Sequence, residues 1–206
     1  MRPISFAEFL RTPELAGPEW QKPTRAPWHV LAKAISGERL TRSEVALLKA
    51  CTGLERVPRN VRALILLIGR RGGKSHFLGA FAVWLAVFGG DWLNVLSLGE
   101  RGVILLMGAD RKQAQVLARY AQGLCAGAII AEHVVRVIAT EIEFTTGAVI
   151  EVCTNDHRTL RSRTCLAVIG DEACFWSIED DGRASSDEEV VAAAEPSMAT
   201  VPARAG

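Results

Sequence analysis

The sequence predicts an α/β domain in which helices flank a mostly parallel β-sheet. Residues 63–68 form a hydrophobic run that leads through a glycine- and arginine-rich turn into a nearly all-apolar helix. Residues 102–109 form a second apolar run, and an amphipathic helix follows it directly. Residues 166–169 are apolar throughout, as in strands that are covered on both faces of a parallel sheet. Strands and helices that succeed one another in this way indicate the fold class.

The first 54 residues are predicted to form a small helical subdomain. Their first half contains several prolines and no lasting periodicity, which indicates an irregular arm with one short helix near residues 6–10. A second helix is expected at residues 28–35. The sequence Thr41-Arg42-Ser43-Glu44 is a capping box, so a third helix is expected to begin there and to continue to about residue 51.

The main domain, expected at residues 55–206, contains the most informative segment of the chain, VRALILLIGRRGGKS at residues 61–75. A strand, a glycine-rich turn and a helix that begins at Gly-Lys-Ser are the parts of a P-loop, which binds nucleotide phosphates. Glycines let backbone N–H groups curl around a phosphate, and the helix N-terminus adds partial positive charge. Ile68 stands where the usual pattern has its first glycine, so Gly69 and Gly72 are expected to supply the flexibility.

Each part of this turn has an expected role in binding ATP. Lys74 is placed to meet the β- and γ-phosphates, and Ser75 is placed to hold Mg²⁺. A glycine-rich turn ahead of a buried helix, with Gly-Lys-Ser by chance, is the alternative interpretation. The candidate nucleotide-binding residues are Gly69, Arg70, Arg71, Gly72, Gly73, Lys74 and Ser75.

A pair of adjacent carboxylates favours nucleotide hydrolysis. The sequence LAVIGDE at residues 166–172 places Asp171 and Glu172 at the C-terminal end of a buried strand, where ligands bind in open α/β sheets. Asp171 is expected to hold the Mg²⁺ shell, and Glu172 is expected to polarise the water that attacks the γ-phosphate. A solvated turn is the alternative for this pair alone, but the glycine-rich turn earlier in the chain favours a nucleotide site.

The elements between these two segments indicate the branch of ATPase. The strand at residues 102–109 precedes a helix that Asp110 is expected to cap, a β-hairpin at residues 142–153 and a polar loop at residues 154–163. A further helix is expected at residues 187–194, where an acidic first turn suits the helix dipole. An extra strand between the two site strands, with Glu beside Asp, favours the RecA-like branch over small-molecule kinases.

Composition and charge set broader limits. The chain has 206 residues, 49% of them hydrophobic, and a net charge of +1, so no global field favours nucleic acid. Basic residues outnumber acidic ones in residues 1–75, and the reverse holds in residues 177–206, which is compatible with a surface that handles DNA. The five cysteines have no zinc-type spacing and indicate thiols in a reducing compartment. No signal peptide is expected, and the longest apolar stretch, residues 77–90, suits a core helix rather than a membrane span.

Four segments together resemble a known family. They are GRRGGKS at residues 69–75, VILLMGADRKQA at 103–114, NDHRTLRSR at 155–163 and LAVIGDEACFW at 166–176. In order and spacing they are similar to the N-terminal ATPase half of the large subunit of viral DNA-packaging terminases. The first segment resembles that family's deviant P-loop, which has an arginine four residues before the lysine and lacks the first glycine.

The resemblance implies a motor that hydrolyses ATP to drive double-stranded DNA into a procapsid through a portal. It implies that Arg70 stabilises the γ-phosphate charge, beside the catalytic residues Lys74 and Glu172. The implied partners are double-stranded DNA, the portal protein, the small terminase subunit and other copies of the chain in a ring. The implied location is the cytoplasm of a bacterial host, with passage to the procapsid portal and no membrane. For Arg158, Arg161 and Arg163 the resemblance implies contacts to DNA phosphates or to a neighbour's nucleotide. The alternative for these three arginines is an ordinary surface loop.

The chain also departs from the family. Terminases carry a glutamine-containing adenine motif before the P-loop, and Gln21 is the only glutamine before residue 75. Family members continue beyond a segment that resembles PSMATVPARAG into further core strands and a nuclease domain, which this chain is expected to lack. A fragment, a split gene or a truncated prophage copy is therefore expected, with little or no ATP hydrolysis on its own. A helicase-like P-loop ATPase and a non-catalytic remnant that binds nucleotide are the alternatives.

Overall fold

A five-stranded open sheet forms the centre of the computed structural model, which describes residues 4–57, 61, 63–89, 96–154, 163–173 and 176, with 192, 194, 196 and 198. Its order is β2-β3-β4-β1-β5. Helices flank this sheet, so the predicted α/β class is confirmed. The strands are β1 (Gly102–Gly108), β2 (Val134–Ile138), β3 (Glu141–Phe144), β4 (Ala148–Thr154) and β5 (Thr164–Gly170).

The sheet is mixed rather than mostly parallel, which corrects the prediction. β1 pairs in parallel with β4 and β5, whereas β3 pairs antiparallel with β2 and β4. The reason is local, because a short Thr-Thr-Gly turn joins β3 to β4 and such a connection permits only antiparallel pairing. The predicted hairpin over residues 142–153 is thereby confirmed, and β2 extends it by one strand that the sequence pattern did not indicate.

The helices begin at local signals that the sequence shows. The Thr41 hydroxyl accepts from the Glu44 N–H while the Glu44 carboxylate accepts from the Thr41 N–H, which confirms the capping box. The Asp110 side chain accepts from the Gln113 N–H and caps the helix after β1. Two 3₁₀ turns, Pro18–Gln21 and Pro23–Arg25, connect the N-terminal helices. The helices are α1 (Phe6–Arg11), α2 (Pro13–Ala16), α3 (Ala26–Ile35), α4 (Arg42–Thr52), α5 (Lys74–Phe88), α6 (Arg111–Cys125) and α7 (Ala128–Ala131).

The helices α1, α2 and α3 share one hydrophobic core with α5 and the sheet, whereas α4 packs on α3 in a smaller cluster. Most residues of α5 are buried, as its apolar sequence predicts. The Phe6 ring of α1 packs edge-on against Phe77 and Phe81 of α5, at centroid distances of 5.1 and 5.2 Å. The Trp84 indole donates a hydrogen bond to the Ile4 carbonyl at 2.9 Å. These contacts fix the N-terminal segment against the helix that follows the glycine-rich turn.

Residues 63–68 form no strand, contrary to the prediction. Ile65 and Leu67 are 86% and 95% exposed, whereas Leu66 and Ile68 pack partly against the core. This alternation has the period of extended backbone. A strand, however, needs a neighbour to satisfy its backbone N–H and C=O groups, and none of the described strands pairs with this segment.

The predicted helix at residues 187–194 lies mostly outside the described residues, as does most of the chain after residue 176. Among the described helices, none combines the length and the hydrophobicity that a membrane span needs.

Candidate functional site

A tight turn leads into α5 at the centre of the candidate site. The Gly72 N–H donates to the Gly69 carbonyl at 3.2 Å and closes the turn. Arg71 and Gly73 have φ angles of +62° and +90°, in the left-handed region that favours glycine. Gly73 is the N-cap of α5, so the turn delivers the chain directly to the positive end of that helix.

The first two residues of α5 meet the two carboxylates that follow β5. The Ser75 hydroxyl donates to Asp171 Oδ2 at 2.7 Å. The Lys74 ammonium lies 3.8 Å from Asp171 Oδ1 and 3.4 Å from Glu172 Oε1. Nearly one hundred residues of chain separate the two pairs, so only the tertiary fold brings them together. The structure therefore joins the residues that the sequence predicts for phosphate, metal and catalysis.

Asp171 is held firmly at the C-terminal edge of the sheet. Its N–H donates to the Met107 carbonyl of β1 at 2.9 Å, which continues the β1–β5 pairing past the end of β5. Among the described residues, Asp171 is the charged residue that is buried, with 7% of its surface exposed. Such a carboxylate needs partners, and Ser75 and Lys74 provide them.

Glu172 differs from its neighbour in exposure and backbone. Its side chain is 35% exposed, so it faces solvent as well as Lys74. Its φ angle is +53°, in the left-handed region, which costs a non-glycine residue about 1–2 kcal/mol. Strain of this kind persists where the surrounding structure imposes it, and it is common at functional sites. The Glu172 carboxylate lies 3.4 Å from the Lys74 ammonium.

Two side chains of the N-terminal segment support the turn. The Trp28 indole donates to the Gly72 carbonyl at 3.1 Å and stacks on Phe77 of α5 at 4.5 Å. The Arg25 guanidinium lies against Gly73, where a Cβ atom would come 2.2 Å from Nη1. Glycine at position 73 is thus required for its φ angle and for the approach of Arg25.

His76 occupies a niche beside the turn. Its ring stacks on Tyr120 at 5.0 Å, lies 4.7 Å from the Trp20 ring, and places Nε2 3.3 Å from Glu19 Oε1. Burial lowers the pKa of His76, Glu19 raises it in part, and Arg25 lowers it further. The neutral imidazole is therefore favoured in the folded protein. These contacts tie α5 to the N-terminal segment and to α6.

The remaining predicted residues lie at the rim or elsewhere. Gly69, Arg70 and Arg71 are exposed, and the two arginine side chains form no hydrogen bond or ion pair with a described residue. Arg163 pairs with Glu151 of β4 at 2.7 Å. Arg158 and Arg161 lie outside the described residues. Gln21 donates to the Leu10 carbonyl at 3.1 Å, a contact within the N-terminal segment.

The donor set at the end of β5 fits a hard cation. The Ser75 hydroxyl and the Asp171 carboxylate offer oxygen atoms, which Mg²⁺ prefers. Their separation of 2.7 Å is close to the roughly 2.9 Å between adjacent ligands of an octahedron with metal–oxygen distances of about 2.05 Å. Within the described residues, no group of three or more His, Cys, Asp or Glu could form a metal cage. An ion here would take its other ligands from phosphate and water, as Mg²⁺ commonly does.

Sequence reasoning missed the contribution of the N-terminal segment to this site. Arg25 and Trp28 are separated from the turn by more than forty residues, and no spacing pattern connects them to it. The proline-rich composition around them indicated only an irregular arm. A signal existed in the cluster of Trp and Arg side chains at residues 20–28, but its target depends on tertiary packing.

Comparisons of this chain with protein-family models, curated proteins and solved structures found no match.

Proposed function

We propose that this protein binds Mg-ATP at the turn before α5 and hydrolyses it. The observation that carries the proposal is the convergence of Lys74 and Ser75 with Asp171 and Glu172 at the C-terminal edge of parallel strands. A cation, a hydroxyl, a helix N-terminus and two carboxylates of unequal exposure are the groups that phosphoryl transfer requires. Crevices at this edge are where open α/β sheets bind ligands.

Binding would rearrange the ion pairs of the site. Lys74 is now shared between two carboxylates, and a nucleotide would draw its ammonium toward the β- and γ-phosphates. The N–H groups at the start of α5 would bind a phosphate oxygen. Ser75 and Asp171 would hold Mg²⁺, which neutralises phosphate charge and orients the phosphate groups.

Glu172 is the residue proposed to activate water. It is the more exposed carboxylate, so solvent reaches it, whereas Asp171 is buried and committed to Ser75. When Lys74 turns to the nucleotide, Glu172 Oε1 is left to accept a proton from a water molecule. That water forms a bond to the γ-phosphorus, the bond to the β–γ bridging oxygen breaks, and ADP and inorganic phosphate leave.

The resemblance to terminase large subunits extends the proposal to a biological role. In that role the chain acts as the ATPase part of a motor that moves double-stranded DNA into a procapsid. Its partners are a portal protein, a small terminase subunit and other copies of the chain, in the cytoplasm of a bacterial host. Arg70, exposed at the turn, is proposed to stabilise charge at the γ-phosphate.

A second candidate is a protein that binds a nucleotide without hydrolysing it. The observation that favours it is the unpaired segment at residues 63–68, because a phosphate-binding turn is positioned best when a sheet strand precedes it. This candidate predicts the same affinity for Mg-ATP with no release of phosphate.

Lys74→Ala tests nucleotide binding. Loss of a charge-assisted contact to phosphate should weaken Mg-ATP binding roughly 10- to 100-fold, measured by isothermal titration calorimetry. Lys49→Ala is the matched control, because Lys49 is an exposed lysine on α4 whose ion partner, Glu55, follows the same helix. Equal affinity in Lys74→Ala and the parent would refute the site. Phosphate release in the same samples separates the hydrolase from the non-catalytic binder.

A further inference from the structure

Arg25 is placed beside the glycine-rich turn, and its guanidinium group makes no hydrogen bond or ion pair with a described residue. It ends the 3₁₀ turn Pro23–Arg25, directly before α3. A Cβ atom on Gly73 would lie 2.2 Å from Arg25 Nη1, so this nitrogen is within about 3.7 Å of the Gly73 Cα atom. Gly73 is the N-cap of α5, next to Lys74. The guanidinium therefore lies at the mouth of the proposed phosphate site.

The Arg25 side chain is held in position by an aromatic ring. Its guanidinium lies 5.0 Å from the centroid of the Trp20 ring, within the range of a cation–π contact. Trp20 is fully buried and packs against Phe77 and His76 of α5. Arg25 is itself half-buried, unlike Arg70 and Arg71. Its charged group is thus held in place before any ligand arrives.

The guanidinium group of Arg25 has N–H donors that no described residue accepts. An arginine side chain carries five N–H donors and stays charged at any physiological pH. Among the described residues, Arg25 makes no side-chain hydrogen bond and no ion pair with a carboxylate, and Glu19 nearby pairs with His76 instead. A half-buried cation without a counter-ion fits best where an anion binds.

The charge balance of the site points the same way. Lys74 faces two carboxylates, Asp171 and Glu172, so the inner part of the site carries an excess of negative charge. A nucleoside triphosphate brings more negative charge than Lys74 and one Mg²⁺ ion can neutralise beside those carboxylates. A further cation at fixed distance from the helix N-terminus would make up part of the difference.

We propose that Arg25 is a further phosphate-binding residue, supplied to the nucleotide site by the N-terminal segment. The ligand class is a nucleoside polyphosphate, and the contact is to a phosphate oxygen beside the Gly73 N–H. This inference rests on the proposed function, because it concerns the same ligand. It assigns the N-terminal segment a direct part in binding, in addition to its packing against α5.

The test compares Arg25→Gln, Arg25→Lys and the control Arg42→Gln, which changes an exposed arginine on α4. Binding of Mg-ATP and of inorganic triphosphate is measured by calorimetry, and melting temperature is measured on the same samples. Arg25→Gln should weaken both ligands about tenfold, since a hydrogen bond to a charged group is lost. Arg25→Lys should retain most of the affinity, and the control should match the parent.

Three outcomes would overturn the inference. If Arg25→Gln binds with parental affinity while Lys74→Ala has lost binding, the phosphate site does not include Arg25. Equal loss of affinity in Arg25→Gln and Arg25→Lys, together with a lower melting temperature in both, would show that Arg25 acts only in packing. A parent protein that binds neither ATP nor triphosphate would remove the proposed function and this inference with it.

Discussion

Replacing Ser75 with alanine tests the link between the turn and β5 in the free protein. The Ser75 hydroxyl is 2.7 Å from Asp171 Oδ2, and Asp171 is 7% exposed, so water can replace the hydroxyl only poorly. A hydrogen bond to a charged group contributes about 1.5–3 kcal/mol to stability. Lys74 remains 3.8 Å from the other carboxylate oxygen and limits the loss. We expect Ser75→Ala to lower the free energy of unfolding by about 1.5 kcal/mol, the lower end of that range.

Thermal and urea-induced unfolding, followed by circular dichroism, give the measurement. For a chain of this length, 1 kcal/mol corresponds to about 2–4 °C in Tm, so Ser75→Ala should melt about 3–6 °C below the parent. Ser75→Thr keeps a hydroxyl at the same position and should lie close to the parent. Ser43→Ala removes an exposed hydroxyl from α4 and should change the free energy of unfolding by less than about 0.5 kcal/mol.

An unfolding free energy in Ser75→Ala equal to that of the parent would refute the reasoning. A double-mutant cycle with Asp171→Asn sharpens the test, because residues in direct contact show a coupling energy of about 0.5–3 kcal/mol. A coupling near zero would mean that the Ser75 hydroxyl and the Asp171 carboxylate do not interact in solution.

Three further predictions follow from the same region. Glu172→Gln should bind Mg-ATP with parental affinity while phosphate release falls about 10²–10⁴-fold, and parental release would assign the base elsewhere. Because burial lowers the pKa of His76, the unfolded chain binds a proton that the folded protein does not, so stability should fall as pH drops from about 6.5 toward the folded pKa. Urea unfolding at several pH values should show a shallower decline for His76→Gln, and an unchanged decline would contradict this. Trp28→Phe keeps the ring on Phe77 but loses the bond to Gly72, and should cost about 0.5–1.5 kcal/mol in unfolding free energy, whereas no loss would show that the bond is not formed.

Local signals in the sequence predicted the α/β class and several of its elements correctly. The capping box at Thr41, the cap at Asp110 and the strands β1 and β5 all involve residues near one another in the chain, where spacing alone carries the information. The segment at residues 63–68 shows the limit of prediction from local signals. Its apolar side chains predicted a strand, yet strand formation depends on a partner elsewhere in the chain, which a hydrophobic pattern does not reveal.

The candidate site was predictable to the same extent. Glycine-rich turns and an Asp-Glu pair have recognisable chemistry, which assigned both motifs to one site, and the structure brings Lys74 and Ser75 to Asp171 and Glu172. The roles of Arg25 and Trp28 were not predictable. Their positions relative to the turn depend on how α1 and α3 pack on α5, and that packing is set by buried aromatic rings rather than by a motif.

The exposed apolar segment at residues 63–68 has a consequence for handling the protein. It contains six consecutive apolar residues with no proline and no internal charge, a composition typical of segments that drive intermolecular β-pairing. In β2, an edge strand of the described sheet, Arg136 places a charge among exposed valines and so discourages such pairing. Self-association of this protein is therefore expected to begin at residues 63–68, to rise with protein concentration and with sulfate, and to diminish when Leu67 is replaced by lysine.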